Sequence, residues 1–552
     1  MKPISFLGAK SFRGRVETST PSLLDREYSL EFIPISKGSS AKLTTYVILD
    51  GEELPLAVHS TIALNSDRFD GSDRFAVLGD IVSINLGAYR GETVRFGWVL
   101  EEGLGEGIEA ALGAPRLRPT AGDQRRPDVL LICSDTHRFD YALGSRGRDL
   151  MPGLQELVGE SVVYENGFSN ASWTMPSIVS ALTGLYPRRH SAGRVTRLMD
   201  SSEVESEAIP AGRFVFQVGQ RAKILTAYSR EFRSLPEILR AHGYTTAIVA
   251  ANPLYFLSGL AYDGNELIVN ASVLNGAAIN QAAGEIIANA PASHPLFLLV
   301  HYMEPHQWQP WYFYEDYPGL AEVKSRQQVL QSYSNSVGDL DDALSALLEV
   351  WARERGMSES LVAFYSDHGE HLFDPGQAIV GHGQTMDEAL LRVPYVIKYP
   401  QSLSIPHAIE KNNVSLADLT PTVLDVAGIG EDDFAFSGRS LRAGDVAPNR
   451  YLFADFQLYG NALSSVRQGN FKLVVNHETG TSQLVDTRSG ETVSDSAGLR
   501  ETRDQLASAF RKYQRTADEQ SASIQFARQI DQDEALESLK SLGYVGGGQS
   551  RR

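Results

Sequence analysis

The chain has a single cysteine in 552 residues, so no disulfide can form within it. Cys133 closes the apolar run Val129-Leu130-Leu131-Ile132-Cys133 and reads as inert core. No stretch approaches the roughly 20 apolar residues that span a bilayer. The opening Met1 to Lys10 carries an apolar patch too short for a secretion signal. These absences predict a soluble, cytoplasmic chain, or a periplasmic or secreted one if a leader was removed before this numbering begins. Excess positive charge is lacking too: 50 Lys and Arg against 68 Asp and Glu leave a net charge of −18. That balance excludes nucleic acid and anionic membranes as bulk partners. It leaves anionic small substrates open, because a metal and local cations set the field inside a pocket. Internal repeats are also missing.

What is present divides into parts, as the length requires, since one core cannot serve 552 residues. Residues 1–115 carry β signals: Tyr28 to Ile35, Leu43 to Leu49, Phe75 to Leu86 and Thr93 to Leu100, with Asp50-Gly51 and Arg90-Gly91-Glu92 as turns. Their spacing predicts an all-β sandwich serving as an accessory packing module. The polar, proline-punctuated segment 116–127 reads as a linker. From Asp128 strands and helices alternate: helix Leu235 to Gly243, strand Thr246 to Ala251, strand Leu296 to His301, helix Gln328 to Trp351, strand Ser360 to Tyr365. That alternation predicts an α/β domain over 128–450, a mostly parallel sheet flanked by helices. Between Ala192 and Ser234 it lapses, and a lid or pocket wall is expected there. Residues 451–552 read as a small α+β subdomain with a charged helix near Leu499 to Tyr513 and a polar tail.

The chemistry-bearing residues fall at strand ends. Asp135 lies just past the Val129–Cys133 strand, where open sheets place their ligands. Thr174 heads a short helix with Pro176 in its first turn and Gly184 as its stop. A hydroxyl there faces unpaired N–H groups and the positive end of the helix dipole, a setting suited to an attacking alkoxide and an anionic ester. Three more clusters follow strands: His301 to His306, Ser366-Asp367-His368-Gly369-Glu370-His371 and Gly381-His382-Gly383. Two carboxylates and an imidazole converging on one sheet edge suit a divalent cation.

In order, the chain presents Arg126-Pro-Asp-Val-Leu-Leu-Ile-Cys-Ser-Asp-Thr-His-Arg138, Trp173-Thr-Met-Pro-Ser177 with Leu182-Thr-Gly-Leu-Tyr-Pro-Arg-Arg-His190, and Phe297 to His306. Then come Ser366-Asp-His-Gly-Glu370, Glu388 to Pro394, Asp418 to Gly428 and Phe471-Lys-Leu-Val474. From 127 to about 515 it thereby resembles the sulfatase branch of the alkaline phosphatase superfamily. The resemblance implies an alkaline-phosphatase-like fold and a metal-dependent ester hydrolase. Two departures fall on the chemistry. Thr174-Met-Pro-Ser-Ile178 stands where type-I sulfatases carry C/S-x-P-x-R, and threonine cannot mature to formylglycine. The first strand offers one acid, Asp135, rather than an Asp pair, and His368 follows Asp367.

An acid, a threonine, an aspartate and a histidine resemble instead the site of lipoteichoic acid synthases and phosphoethanolamine transferases. The resemblance implies one divalent ion on Asp135, Asp367, His368 and Thr174, with Zn²⁺ or Mn²⁺ favoured over Ca²⁺ because imidazole joins the set. His382, 14 residues after His368, matches a substrate-binding histidine. The expected reaction is attack by Thr174 on a phosphomonoester or phosphodiester of a small molecule, glycan or lipid, through a phosphothreonine. His306 would protonate the leaving alkoxide and His382 would steady the non-bridging oxygens. A second metal on His301, Glu304 and His371 is a further possibility. Arg138 is expected in an ion pair with Asp140. The alternatives are sulfate ester hydrolysis with unmodified threonine, phosphoryl transfer, and a non-catalytic binding protein. The missing membrane helices favour hydrolysis over transfer.

Overall fold

The computed structural model describes residues 15–17, 22–23, 28–37, 42–50, 52–60, 62–64, 82–100, 110–119, 126–200, 202, 204, 213–218, 221–229, 231–252, 254–257, 267–270, 275–290, 294–308, 326–374, 380–430, 434–442, 448–493 and 497–521. Its centre is the strand Asp128–Ser134, buried along its whole length. Parallel neighbours bond to both its edges, Leu296–Tyr302 on one side and Ser360–Ser366 on the other. Alternation along the strand feeds two cores. Val129, Leu131 and Cys133 join Ile178 and Leu182 of the helix Thr174–Thr183. Leu130 and Ile132 join Leu340, Leu344 and Leu347 of the long helix Arg326–Glu354. A strand apolar at every position needs such cover on both faces. Each fully buried Val or Leu contributes about 1.5–3 kcal/mol.

Eight strands complete this sheet in the order Leu267–Asn270, Thr245–Ala250, Leu296–Tyr302, Asp128–Ser134, Ser360–Ser366, Tyr395–Lys398, Val162–Tyr164 and Ala408–Glu410. The first five run parallel, and Tyr395–Lys398 is antiparallel to both its neighbours. The four strands from Thr245–Ala250 to Ser360–Ser366 therefore deliver their carboxyl ends to one rim. The helix expected from Leu235 spans Leu235–Ala241, held by a capping box between Ser234 and Glu237. The stretch 192–234 contains a three-stranded antiparallel sheet of Val195–Asp200, Arg221–Thr226 and Arg213–Val218. Its Phe216 ring lies 6.5 Å from that of Trp173, the residue before Thr174.

The amino-terminal β unit comprises two sheets. One orders Arg15–Glu17, Thr93–Leu100, Lys42–Leu49 and Glu52–Ser60; the other centres on Tyr28–Lys37. Position 115 does not end it. The strand Ala110–Pro119 pairs with Tyr28–Lys37 through Arg116 to Pro119, residues that the sequence assigns to the linker. Pro115 falls where the register shifts between Glu31 and Ile33, a bulge that needs no N–H from it. Of the expected strand 75–86, Val82–Asn85 is observed and positions 75–81 lie outside the described residues.

At the carboxyl end a five-stranded antiparallel sheet, Leu452–Ala454 to Glu491–Thr492, packs Val466, Leu473 and Leu484 against Leu506 and Phe510 of the helix Ala497–Ser521. Asp455 ties this unit to the main domain, accepting from Arg188 at 3.0 Å and from the Tyr513 hydroxyl at 2.8 Å. The tail after 521 lies outside the described residues. Among the described residues no helix is long and apolar enough to cross a membrane.

At the amino end of the central strand, Asp128 accepts from Leu296 N at 2.7 Å and from both Arg355 Nη2 (2.8 Å) and Nε (3.1 Å). Both side chains are buried. Arg355→Leu leaves that carboxylate buried without its charge partner and is expected to cost about 3–5 kcal/mol. Urea denaturation checks this; an unchanged midpoint would show that the pair does not organise the sheet.

Candidate active site

Asp135 is the first residue past the central strand, its N–H bonded to Tyr302 O at 2.9 Å. The chain then turns sharply, with Thr136 at φ +54°, a left-handed conformation rare for a β-branched residue. Strain of this kind costs about 1–3 kcal/mol and needs surroundings that enforce it. Here Thr136 N donates to Asp367 Oδ1 at 3.3 Å and its carbonyl accepts from Tyr333 at 2.7 Å. The same turn thus holds two acidic residues, 135 and 367, in register.

Thr174 is the first residue of its helix, after an extended Trp173 and before a stop at Gly184 with φ +67°. Every residue of that helix is buried. Thr174 Oγ1 lies 3.3 Å from His368 Nε2. His368 Nδ1 lies 2.9 Å from Gly369 O and donates to it, so Nε2 presents its lone pair to the threonine. His368 Nε2 is also 3.4 Å from Asp367 Oδ2 and 3.8 Å from Asp135 Oδ1. Neither carboxylate oxygen has a hydrogen-bond partner among the described residues. The opposite oxygens are occupied: Asp367 Oδ1 accepts from His368 N at 2.9 Å, and Asp135 Oδ2 from Asn252 Nδ2 at 2.8 Å.

His368 Nε2 thus has three oxygens within 3.8 Å, Thr174 Oγ1 and the two bare carboxylate oxygens, in a buried setting. Around a four-coordinate ion with bonds of roughly 2.1 Å, neighbouring donors stand roughly 3.4 Å apart. The three distances from His368 Nε2, 3.3, 3.4 and 3.8 Å, are compatible with that spacing, and Asp135 and Asp367 belong to a buried group able to hold a divalent ion. The charges agree. Burial and the facing Asp135 charge push the Asp367 carboxyl well above its ordinary range. Burial would raise Asp135 as well, but His306 and His301 beside it hold it below the ordinary range. Two carboxylates this close in a dry pocket both ionise only beside a positive charge. Burial lowers His368 to about 3, leaving it neutral as ligation requires.

The remaining expected residues sit around this centre. The His382 ring stands 4.5 Å from His368 and 5.3 Å from His306, centroid to centroid. His382 Nδ1 is 3.2 Å from Glu370 Oε2, and although burial opposes the charged ring, Glu370 raises its pKa overall. Burial lowers His306 to about 4. Arg138 is engaged by Asp140 and Asp374, each at 2.8 Å.

The second metal set is not assembled. His301 joins the first cluster, where it, Asp135 and Asp367 offer atoms within 4.8 Å of one another. Glu304 turns away: its Oε1 is 2.8 Å from where a Cβ on Gly276 would stand, at the amino end of the helix Gly276–Asn289. His371 bonds Thr385 at 3.0 Å and pairs with Asp374 and Asp387, each at 3.3 Å. Sequence reasoning passed over Asn252 and Tyr255, which contact Asp135 and His301. Asn252 lies just past the strand Thr245–Ala250, and that placement was the available signal.

A family model described as Sulfatase matches residues 127–429. N-sulphoglucosamine sulphohydrolase of Homo sapiens is 23% identical over 370 residues, 59% of this chain and 64% of that protein. The chain thus spans less than two thirds of that relative's length. A solved complex with D-glucosamine-2-N,6-O-disulfate as substrate superposes with a TM-score of 0.54 at 13% identity, covering 72% of this chain and 99% of that one. A phosphonate monoester hydrolase from Silicibacter pomeroyi gives 0.52 at 17% identity, covering 71% and 95%. At these identities the two structures establish a shared fold.

The helix that carries Thr174 is pinned by buried His190, whose Nε2 is 3.1 Å from Ser180 Oγ and whose Nδ1 accepts from Ala192 N. Burial lowers His190 to about 3. The unfolded chain therefore takes up this proton first. The contribution to stability is complete above about pH 6.5 and is lost as pH falls toward 3, by up to about 1.4 kcal/mol per pH unit. His190→Gln is expected to flatten the fall of the urea midpoint between pH 6.5 and 4.5. Equal slopes in the two proteins would contradict it.

Proposed function

Because the chain belongs to the sulfatase family, we propose that it is a metal-dependent hydrolase of phosphate esters, monoester or diester, with Thr174 as nucleophile. The observation that carries this is the convergence of Thr174 Oγ1 and His368 Nε2 with the two unpartnered carboxylate oxygens of Asp135 and Asp367. Asp135, Asp367, His368 and Thr174 would hold the ion, with Zn²⁺ or Mn²⁺ suited to a set containing imidazole. When bound, it supplies positive charge that lowers the pKa of the hydroxyl and offsets that of the substrate.

The chain's own groups do the rest. Thr174 Oγ1, its proton released to solvent once its pKa is lowered, attacks phosphorus; the bond to the alcohol oxygen breaks and a phosphothreonine forms. The geometry favours exchanging the roles expected of the two outer histidines. His382, backed by Glu370, is the better proton donor to the leaving alkoxide; His306, neutral and buried, suits a hydrogen bond to a non-bridging oxygen. Water then displaces the threonine, with His382 taking its proton. Position 178 supports the departure from formylglycine chemistry: Ile178 lies in the apolar core, 1% exposed, where the C/S-x-P-x-R motif has its arginine. A second reading, sulfate ester hydrolysis with the same threonine, draws on the human relative, a sulphohydrolase by name.

Thr174→Ala is expected to lower kcat/KM on an aryl phosphate by about 10³-fold or more while the fold persists. Chelation is expected to abolish turnover, and added Zn²⁺ or Mn²⁺ to restore it. Paired aryl phosphate, phosphodiester and sulfate substrates decide the ester class. Equal turnover by the wild type and Thr174→Ala would overturn the nucleophile, and sulfate turnover without phosphate turnover would install the second reading.

A further inference from the structure

We propose that Tyr255 is a positioning residue that acts through His301 to decide which oxygen of Asp135 faces the metal, an inference that rests on the metal centre proposed above. Tyr255 belongs to the short helix Leu254–Leu257 and is fully buried. Its hydroxyl lies 2.8 Å from His301 Nδ1, and the two rings meet edge to face with centroids 5.1 Å apart. On the far side of the imidazole, Nε2 lies 3.1 Å from Asp135 Oδ2.

Only one assignment of protons satisfies this row in the neutral ring. The carboxylate can only accept, so Nε2 carries the hydrogen; Nδ1 must then accept, so Tyr255 donates its O–H. Asp135 Oδ2 receives a second hydrogen bond from Asn252 Nδ2 at 2.8 Å. Asn252 is oriented in turn by Leu254 N, which donates to its Oδ1 at 3.0 Å. Asn252 directly, and Tyr255 through His301, thus fill Oδ2 and leave Oδ1 as the ligand atom. His301 is then a hydrogen-bond donor to Asp135 and not a ligand, although its ring nitrogen lies within reach of the cluster. Without the hydroxyl the carboxylate alone favours that tautomer, and Nδ1 loses the donor that holds the ring in this pose. A ring protonated on Nδ1 would aim a lone pair at Oδ2, and the carboxylate would swing away from its single-oxygen pose.

The test uses the full chain with Zn²⁺ as probe and a competing chelator to read its affinity. Tyr255→Phe keeps the ring and is expected to weaken Zn²⁺ binding about 10–100-fold, with the urea midpoint of the metal-free protein unchanged. Tyr365→Phe is the control: an equally buried tyrosine at this sheet edge whose hydroxyl makes no hydrogen bond to His301. It is expected to bind Zn²⁺ as the wild type does. In ¹¹³Cd-loaded, ¹⁵N-histidine-labelled protein, cadmium is expected to couple to His368 Nε2 and not to His301. Unchanged affinity in Tyr255→Phe, an equal loss in Tyr365→Phe, or coupling to His301 would overturn the inference. A wild type that binds no Zn²⁺ would instead overturn the metal centre itself.

Discussion

Two carboxylates, Asp135 and Asp367, face one another at full burial on the rim of a parallel sheet. In water such a pair costs little; in a pocket of low dielectric both can stay charged only with a cation between them. The outward oxygens are filled by backbone N–H groups and by Asn252 and His301, and the inward ones are left bare. That division leaves the pair able to hold a cation. Each carboxylate is prevented from rotating, so the bare oxygens keep their aim before any ion arrives, which is what preorganisation requires.

The sheet makes this arrangement affordable in strain. Adjacent parallel strands in register place Ser134, Tyr302 and Ser366 side by side, so the residues that follow emerge together. Asp135 and Asp367 are brought together by strand pairing, with no long side chains to order. The left-handed Thr136 is the local cost, offset by its bonds to Asp367 and Tyr333. The covering helix brings the third partner, because its amino end, and not its middle, reaches the rim at Thr174. Extended Trp173 fixes that approach, its indole N–H donating to Phe456 O at 2.5 Å.

The rim could be read from the sequence because its parts obey local rules. Apolar runs marked the strands, and acids or imidazoles immediately past them marked the edge. What escaped depended on contacts across the sheet. Asn252 stands in an Asn-Pro pair that signals only a turn and Tyr255 in a four-residue helix, and only the order of strands brings them beside Asp135 and His301. His301 and Glu304 are close in sequence, yet they separate because the chain leaves the strand for a helical turn between them. One side chain stays on the rim and the other turns to the helix at Gly276. Pro115 misled for a related reason: proline marks an end to pairing unless a bulge absorbs it, and bulges are set by the partner strand.

In a chain with a net charge of −18, any positive field at this rim is drawn from close range. Arg138, three residues past Asp135, is held by Asp140 and Asp374 and carries little charge to spare. The amino end of the Thr174–Thr183 helix and the Glu370-backed His382 remain, each a fraction of a charge or a single one. Neither matches two buried carboxylates and an incoming anion. On the function proposed above, the divalent ion would therefore act at substrate binding as well as at the chemical step. On that proposal Thr174 would depend on the ion too, since an isolated hydroxyl, unlike a formylglycine hydrate, has no neighbouring hydroxyl to help expel a bound group. Release would then come from water guided by the outer histidines, and the His382 ring stands close to both His368 and His306.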